Sequence, residues 1–250
     1  MRVITFVLVL FLAMFVPVSW AGVDDEWVSA LSRRDAGTIE SLLGRNAKVD
    51  LSNGEGKTAL MLAAGEGRVQ LMQMLLDAGA SVDVMNTRGG TALMYAVVTG
   101  DTNPVQLLLS HGASVNAQSS NGWTAMMIAC AKGYDNIVRL LLKNGADANT
   151  RDIYRWTPLM RAVYEDRLQV VRTLLASHKV DINARADRGA TALHHAVAQN
   201  FAEIARVLIA EGIDIGTADQ EGRTALMIAS ASGNNDLVML IRQSLKKRSD

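Results

Sequence analysis

The chain has 250 residues, and its 25 basic and 25 acidic side chains give a formal net charge of zero. This balance argues against a large phosphate-binding surface, so we do not expect nucleic acid to be a partner. The single cysteine, Cys130, excludes an internal disulfide. Because related segments carry Ala64 and Val97 at the same place, we expect Cys130 to be a small core residue.

The N-terminal segment has a pattern of its own. A positively charged start is followed by an apolar run over residues 3–16, and the small residues Ser19 and Ala21 suit cleavage before Gly22. This pattern is typical of a secretory signal peptide over residues 1–21. An uncleaved membrane anchor is the alternative, although the run is short for a spanning helix. The signal peptide therefore predicts a periplasmic or secreted protein, and the lack of a disulfide and of an Asn-x-Ser/Thr sequon favours a bacterial periplasm over a eukaryotic extracellular space.

The rest of the chain is built on one repeated step. A Thr-x-Leu or Thr-x-Met sequence recurs in register at six places, at intervals of 33, 33, 33, 34 and 33 residues. A Gly usually precedes the Thr by two positions, and an Ala follows it by five. A Leu-Leu-like pair and a second Gly come later in each period. The steps begin at Thr58, Thr91, Thr124, Thr157, Thr191 and Thr224.

This pattern resembles the ankyrin repeat, whose consensus begins Asp-x-x-Gly-x-Thr-Pro-Leu-His-x-Ala. The resemblance covers about residues 24–245 and implies an all-α solenoid of helix-turn-helix-loop units. Each Thr is predicted to cap a first helix, and Gly residues in the left-handed conformation are predicted to end the helices. One unit cannot bury its apolar face alone, so the units must stack. We expect one domain over residues 22–250 with about seven units, atypical at both ends, over 24–56, 57–89, 90–122, 123–155, 156–189, 190–222 and 223–250.

Two further motifs that suggest chemistry are better explained by the repeat. Residues 54–58 end like a phosphate-binding loop, but Leu51 stands where that motif needs its first Gly. His194 occupies the consensus His position, where the resemblance implies a hydrogen-bonded link between loops, and neither it nor His195 has a metal-ligand spacing. We therefore predict no catalytic residue, no enzyme activity, no small-molecule substrate, no metal and no cofactor.

Methionine recurs at one position of the repeat, which the ankyrin consensus does not predict. In five of six units a Met stands three positions after the Thr, which predicts a ladder of thioethers along the solenoid. The ladder favours packing, because its steps are too far apart for one metal ion. The alternative is copper binding in an exported protein. The ladder consists of Met61, Met94, Met127, Met160 and Met227.

The resemblance also implies where a protein partner binds, namely the loop tips before each Thr and the exposed end of the first helix. In the fourth and fifth units these positions are rich in aromatic residues, which are enriched at binding hot spots. The alternative is that the two tryptophans stack on each other and shield the loops. The predicted partner-binding residues are Trp123, Ile153, Tyr154, Arg155, Trp156 and Tyr164.

The fifth unit departs from the repeat pattern at three points. Arg155 replaces the turn Gly, Asp166 replaces the helix-ending Gly, and one residue is inserted near His178. Departures from local rules often mark function.

At the end of the chain, the basic residues 246–248 follow a last helix predicted over about 234–245, and we interpret them as a solvated cap. A nucleic-acid or lipid contact is the alternative for this basic tail.

The expected function is that of a monomeric, non-enzymatic module in the cell envelope, which binds a protein partner through the concave face of the solenoid. Membrane contact is expected only if the N-terminal segment is uncleaved. Two other functions stay open at this point. One is metal- or redox-linked protection through the methionine ladder or Cys130, and the other is a secreted effector that binds host proteins.

Overall fold

The computed structural model describes residues 20–45 and 47–249. The apolar run over residues 3–16, and with it most of the predicted signal peptide, lies outside the described residues. Within them the chain forms fourteen α-helices and no strand, which confirms the all-α prediction. None of the described helices is both long and apolar enough to cross a membrane.

The helices come in pairs, and each pair packs on the next along the chain. In each pair we call the odd-numbered helix the first helix and the even-numbered one the second. The helices are α1 Trp20–Arg33, α2 Ala36–Leu43, α3 Ala59–Gly65, α4 Val69–Asp77, α5 Ala92–Val98, α6 Thr102–Ser110, α7 Ala125–Lys132, α8 Asp135–Lys143, α9 Pro158–Tyr164, α10 Leu168–Ala176, α11 Ala192–Ala198, α12 Ala202–Ala210, α13 Ala225–Ala231 and α14 Asn235–Ser249.

The repeated Thr begins six of the first helices, as predicted. In five units its hydroxyl accepts a hydrogen bond from the backbone N–H three residues later, at 3.2–3.4 Å. A cap of this kind stabilises a helix by about 1 kcal/mol. The sixth, Thr191, is capped together with the His194 side chain. The spacing of the Thr residues therefore determines where each unit begins.

The methionine ladder packs between units. Met61, Met94, Met127 and Met160 are buried, with at most 5% of their surface exposed. Met227 is 55% exposed, because it lies in the last described helix pair and no further pair packs on it. Cys130 is fully buried, and burial raises the pKa of its thiol. Four of the five ladder residues and Cys130 are thus core residues.

The loops before each Thr form a continuous row of tight turns. Each loop closes on itself, as where the Asp152 N–H donates to the Trp156 carbonyl at 3.1 Å. Each of the five later loops also donates to the one before it, as where the Ile153 N–H reaches the Asn121 carbonyl at 3.2 Å. At this junction a Cβ on Gly122 would lie 2.7 Å from the Cα of Asp152. The loops therefore lie too close together for a side chain at that glycine.

The fifth unit keeps the repeat geometry despite its irregular sequence. Arg155, Asp166 and His178 take the left-handed conformation that glycine takes in other units, with φ of 59°, 56° and 53°. The inserted residue lies between His178 and Asp181, since the Asp181 N–H still donates to the previous unit, to Asn149 Oδ1 at 2.6 Å. Left-handed backbone costs a residue with a Cβ about 1–2 kcal/mol, so this unit is strained.

The two ends differ from the prediction in detail. Helix α1 begins at Trp20, four residues before the predicted first unit, and the fully buried Trp27 lies near its middle. Helix α14 runs to Ser249, so residues 246–248 continue the helix instead of following it. The predicted end near residue 245 was wrong, because Lys and Arg are good helix formers and nothing there interrupts the helix.

Candidate functional site

The loop tips and the first helices form one face of the solenoid, which we call the inner face. Five side chains contact one another there, and we call them the aromatic cluster. They occupy the repeat positions immediately before the Thr and four or seven positions after it. The aromatic cluster consists of Trp123, Trp156, Arg161, Tyr164 and His195.

An arginine joins the two tryptophans of the cluster. The guanidinium carbon of Arg161 lies 4.4 Å from the ring centroid of Trp123 and 4.6 Å from that of Trp156. Cations at this distance over an aromatic ring are attracted by its electron-rich face. Trp123 and Trp156 therefore do not shield the loops by stacking on each other, because Arg161 lies between them.

A buried carboxylate holds Arg161 in place. The side chain of Asp152 is fully buried and forms an ion pair with Arg161. Its other oxygen accepts hydrogen bonds from the backbone N–H groups of Tyr154 and Trp156, both at 2.9 Å. Charge-assisted hydrogen bonds are among the strongest in proteins. Asp152 thus fixes the loop tip and the arginine at once.

Trp156 is also packed against two rings from neighbouring positions. Its centroid lies 4.4 Å from that of His195, and 5.2 Å from that of Tyr164 in an edge-to-face arrangement. Burial, helped by the nearby His194 and Arg161, lowers the pKa of His195 to about 4. Nε2 of His195 is buried and has no hydrogen-bond partner among the described residues. His195 is therefore neutral at neutral pH.

Two cavities flank the aromatic cluster on the inner face. The large cavity has a volume of about 620 Å³, and its lining includes Tyr154, Trp156, Tyr164 and His195. The small cavity has a volume of about 430 Å³ and lies beyond Trp123, against Tyr95 and Val98. Both volumes fall in the range of known binding pockets, and aromatic or apolar side chains line much of each.

The family of the chain is decided by its match to a family model. The model described as ankyrin repeats in three copies matches residues 28–119, 105–186 and 178–248. The chain belongs to the ankyrin repeat family. Ankyrin repeats are generally non-catalytic modules that bind other proteins, and no enzyme family is indicated for this chain.

Curated relatives of this ankyrin repeat protein match over a short stretch. It is 36% identical to Notch-regulated ankyrin repeat-containing protein A of Danio rerio over 61 residues, which are 24% of this chain and 54% of that protein. The Notch-regulated ankyrin repeat-containing proteins of Xenopus tropicalis and Homo sapiens are each 34% identical over the same length. The chain spans about half the length of the curated relatives it matches.

The ankyrin fold brings only part of the predicted site together. Trp123, Trp156 and Tyr164 belong to the aromatic cluster, and Tyr154 lines the large cavity. Ile153, at the same loop tip, is 56% exposed but lines neither cavity. Arg155 is also exposed on that turn, and it lines neither cavity.

Three side chains of the aromatic cluster and its support were not among the predicted partner-binding residues, namely Asp152, Arg161 and His195. The repeat contained a signal for two of them, because Arg161 and His195 both stand four positions after a repeated Thr. Tyr95, Ile128 and Ile228, at the same position of other units, also line the two cavities of the inner face. Across the six units it carries Leu62, Tyr95, Ile128, Arg161, His195 and Ile228.

The remaining motifs have structural roles in the ankyrin framework. The Thr58 hydroxyl is used in a helix cap, and a Cβ on Gly56 would lie 2.9 Å from the backbone nitrogen of Thr87. His194 accepts from the Thr191 N–H at 3.2 Å and donates to the Arg223 carbonyl at 3.0 Å, which confirms the predicted link between loops. Among the described residues, no group of three or more His, Cys, Asp or Glu side chains converges to hold a metal ion.

Proposed function

We propose that this ankyrin repeat protein binds a protein partner on its inner face, centred on the aromatic cluster and the large cavity. The observation that carries the proposal is apolar surface exposed to solvent beside a cavity. Tyr154 is 59% exposed, Tyr164 is 44% exposed, and both line the large cavity. Exposed aromatic patches of this kind are typical of interaction surfaces.

The binding surface is held in one arrangement before a partner arrives. Asp152 and the two tryptophans restrain Arg161, and Trp156 restrains the rings of Tyr164 and His195. Ordering side chains on binding costs about 0.5–1.5 kcal/mol for each flexible residue. A surface whose side chains are already ordered avoids much of that cost. The partner therefore meets a rigid, complementary surface.

The partner-binding site can be tested by photo-crosslinking in the native cell. A benzophenone amino acid at position 164 should crosslink the partner, whereas the same group at position 206, an exposed site on the second helix α12, should not. Trp123→Ala/Trp156→Ala should remove the crosslink at 164 without unfolding the protein, as checked by circular dichroism. An undiminished crosslink in that variant would place the partner elsewhere.

We propose further that the chain is exported and acts in the periplasm or outside the cell. The apolar run over residues 3–16, with Ser19 and Ala21 after it, supports this proposal. N-terminal sequencing of the protein from a periplasmic extract should then begin at Gly22. Recovery with a cytoplasmic marker, starting at Met1, would contradict export, and recovery from the culture medium would favour a secreted effector.

A further inference from the structure

The loop tips share a device that closes their turns. In four loops an Asn or Asp side-chain oxygen accepts hydrogen bonds from the backbone N–H groups two and four residues later, at 2.8–3.1 Å. Each such residue stands five positions before the repeated Thr. In a fifth loop the Ser119 hydroxyl accepts from the Trp123 N–H at 3.1 Å. The four Asn or Asp acceptors are Asn53, Asn86, Asp152 and Asp219.

One loop lacks this acceptor. Ala186 stands at the same position in the loop before Thr191, and its methyl group cannot accept a hydrogen bond. The equivalent donors are the backbone N–H groups of Arg188 and Ala190. Neither has a hydrogen-bond partner among the described residues. The turn itself is retained, since the Ala186 N–H donates to the Ala190 carbonyl at 2.9 Å. The loop therefore keeps its shape without its oxygen acceptor.

The vacant acceptor position adjoins the large cavity, and Ala186 itself is 7% exposed. Ala186, Arg188 and Ala190 all line that cavity, together with Tyr154 and Tyr164. A small residue also lies at the end of helix α11, where Ala198 lines the cavity and Tyr164 is its counterpart in the fifth unit. The wall of the cavity in the sixth unit is thus made partly of alanines, and at position 186 the alanine stands where the other units carry Asn, Asp or Ser.

Among the arginines that line the cavity, one has no ion-pair partner in the described residues. Arg161 and Arg223 line it, but they are paired with Asp152 and Asp219. Arg188 is exposed, and its guanidinium forms no ion pair among the described residues.

One acidic side chain of the protein itself could compete with a partner's carboxylate for the donors near Ala186. Asp187 lines the cavity and is next to Arg188 in the chain. Its carboxylate is not bonded to the vacant turn, and its carbonyl accepts from the Gln220 side chain at 2.7 Å. Two backbone donors without a partner among the described residues and one unpaired guanidinium therefore belong to the same loop, on the wall of the large cavity.

We propose that an Asp or Glu side chain of the protein partner supplies the missing acceptor. Its carboxylate accepts from the Arg188 and Ala190 N–H groups, as Asp152 and Asp219 do in their own loops, and pairs with the Arg188 guanidinium. An aromatic residue next to it in the partner packs against Tyr154 and Tyr164. This inference rests on the proposed function, because it names the chemistry by which the inner face recognises its partner.

Selection from a phage-displayed library of random dodecapeptides tests the proposal on the purified protein. The enriched peptides should carry Asp or Glu within two positions of Phe, Tyr or Trp. The best peptide, measured by fluorescence polarisation, should bind at least about tenfold more weakly when its acid is changed to alanine, which removes the acceptor. Enrichment of peptides that carry no acid would overturn the proposal. So would a parallel selection on the Ala186→Asn variant that enriches the same acidic peptides equally well.

Ala186→Asn is the decisive variant, because it supplies the acceptor within the chain itself. It should raise the Tm by about 2–4 °C and weaken peptide binding at least about tenfold. A merely damaged fold could not produce both effects. Asn53→Ala is the matched control at the same repeat position, and it should lower the Tm but leave peptide binding within about twofold. Asp187→Asn should strengthen binding, because it removes the competing charge.

The outcomes separate this proposal from the proposed function. If Trp123→Ala/Trp156→Ala removes the partner crosslink and Ala186→Asn retains it, the inner face binds the partner but the acidic contact is refuted. If both variants retain the crosslink, both proposals fail. Competition by millimolar acetate as effective as that of the peptide would show that a free carboxylate suffices, and would overturn the assignment to a side chain of a protein partner.

Discussion

Acidification should destabilise this protein through His195. The pKa of His195 is lowered from 6.5 to about 4 in the folded protein, while the unfolded chain titrates near the ordinary value. A lowered histidine pKa means that the unfolded state binds the proton first, so stability is lost as the pH falls below about 6.5 and the loss is complete near pH 4. The whole difference corresponds to about 3 kcal/mol, of which about 2 kcal/mol falls between pH 7 and pH 5.

The physical cause lies in the packing of the aromatic cluster. The His195 ring lies 4.4 Å from the centroid of Trp156, and its Nε2 is buried without a hydrogen-bond partner among the described residues. Protonation would place a charge there without a compensating acceptor and close to Arg161. Burying an unpaired charge in this way is expensive, which is why the folded protein keeps the ring neutral.

Urea unfolding followed by circular dichroism at pH 7 and pH 5 measures this effect. His195→Phe is the comparison, because it keeps an aromatic ring against Trp156 but binds no proton. The carboxylates and His194 titrate in both proteins, so their contributions cancel in the difference. The unmodified protein should lose about 2 kcal/mol more than the variant between the two pH values. Equal losses in both would refute the assignment to His195.

Three further predictions concern the framework. Asp166→Gly should stabilise the protein by up to about 1 kcal/mol in urea unfolding, because it relieves left-handed strain, whereas Gly133→Ala at the same repeat position should destabilise it. Arg161→Met should cost about 3–5 kcal/mol, since it leaves the Asp152 charge buried and unpaired, and Asp152→Asn should recover much of this loss in the double variant; an additive double variant would contradict the coupling. Cys130 should react with a thiol reagent only after denaturation, because its thiol is buried and its pKa is raised, and rapid labelling of the folded protein would contradict this.

The framework of this protein was predictable because each unit is specified locally. The Thr cap, the helix-ending glycines and the consensus position of His194 lie within one period, and the structure confirms them. The methionine ladder followed from the same register. Met227 is exposed because it lies in the last described unit, which packs on another described unit only on one side.

The inner face was less predictable, because its contacts join different units. The sequence indicated that aromatic residues gather there, but Arg161 lies between Trp123 and Trp156 only because the fourth and fifth units stack. The buried Asp152 was overlooked since an Asp at that position also serves an ordinary turn. Export of the chain stays a prediction, because the apolar run lies outside the described residues.

The left-handed residues of this chain are unevenly distributed. Outside glycine, five described residues have positive φ, and four of them lie between positions 155 and 200, namely Arg155, Asp166, His178 and Asn200. In a linear array each unit is held only by its neighbours, so strain is not shared with the rest of the molecule. Under a pulling force the solenoid would unfold first between residues 155 and 200. A partner bound across the fourth to sixth units would hold this region folded, and the units on either side of it would then unfold in one cooperative step.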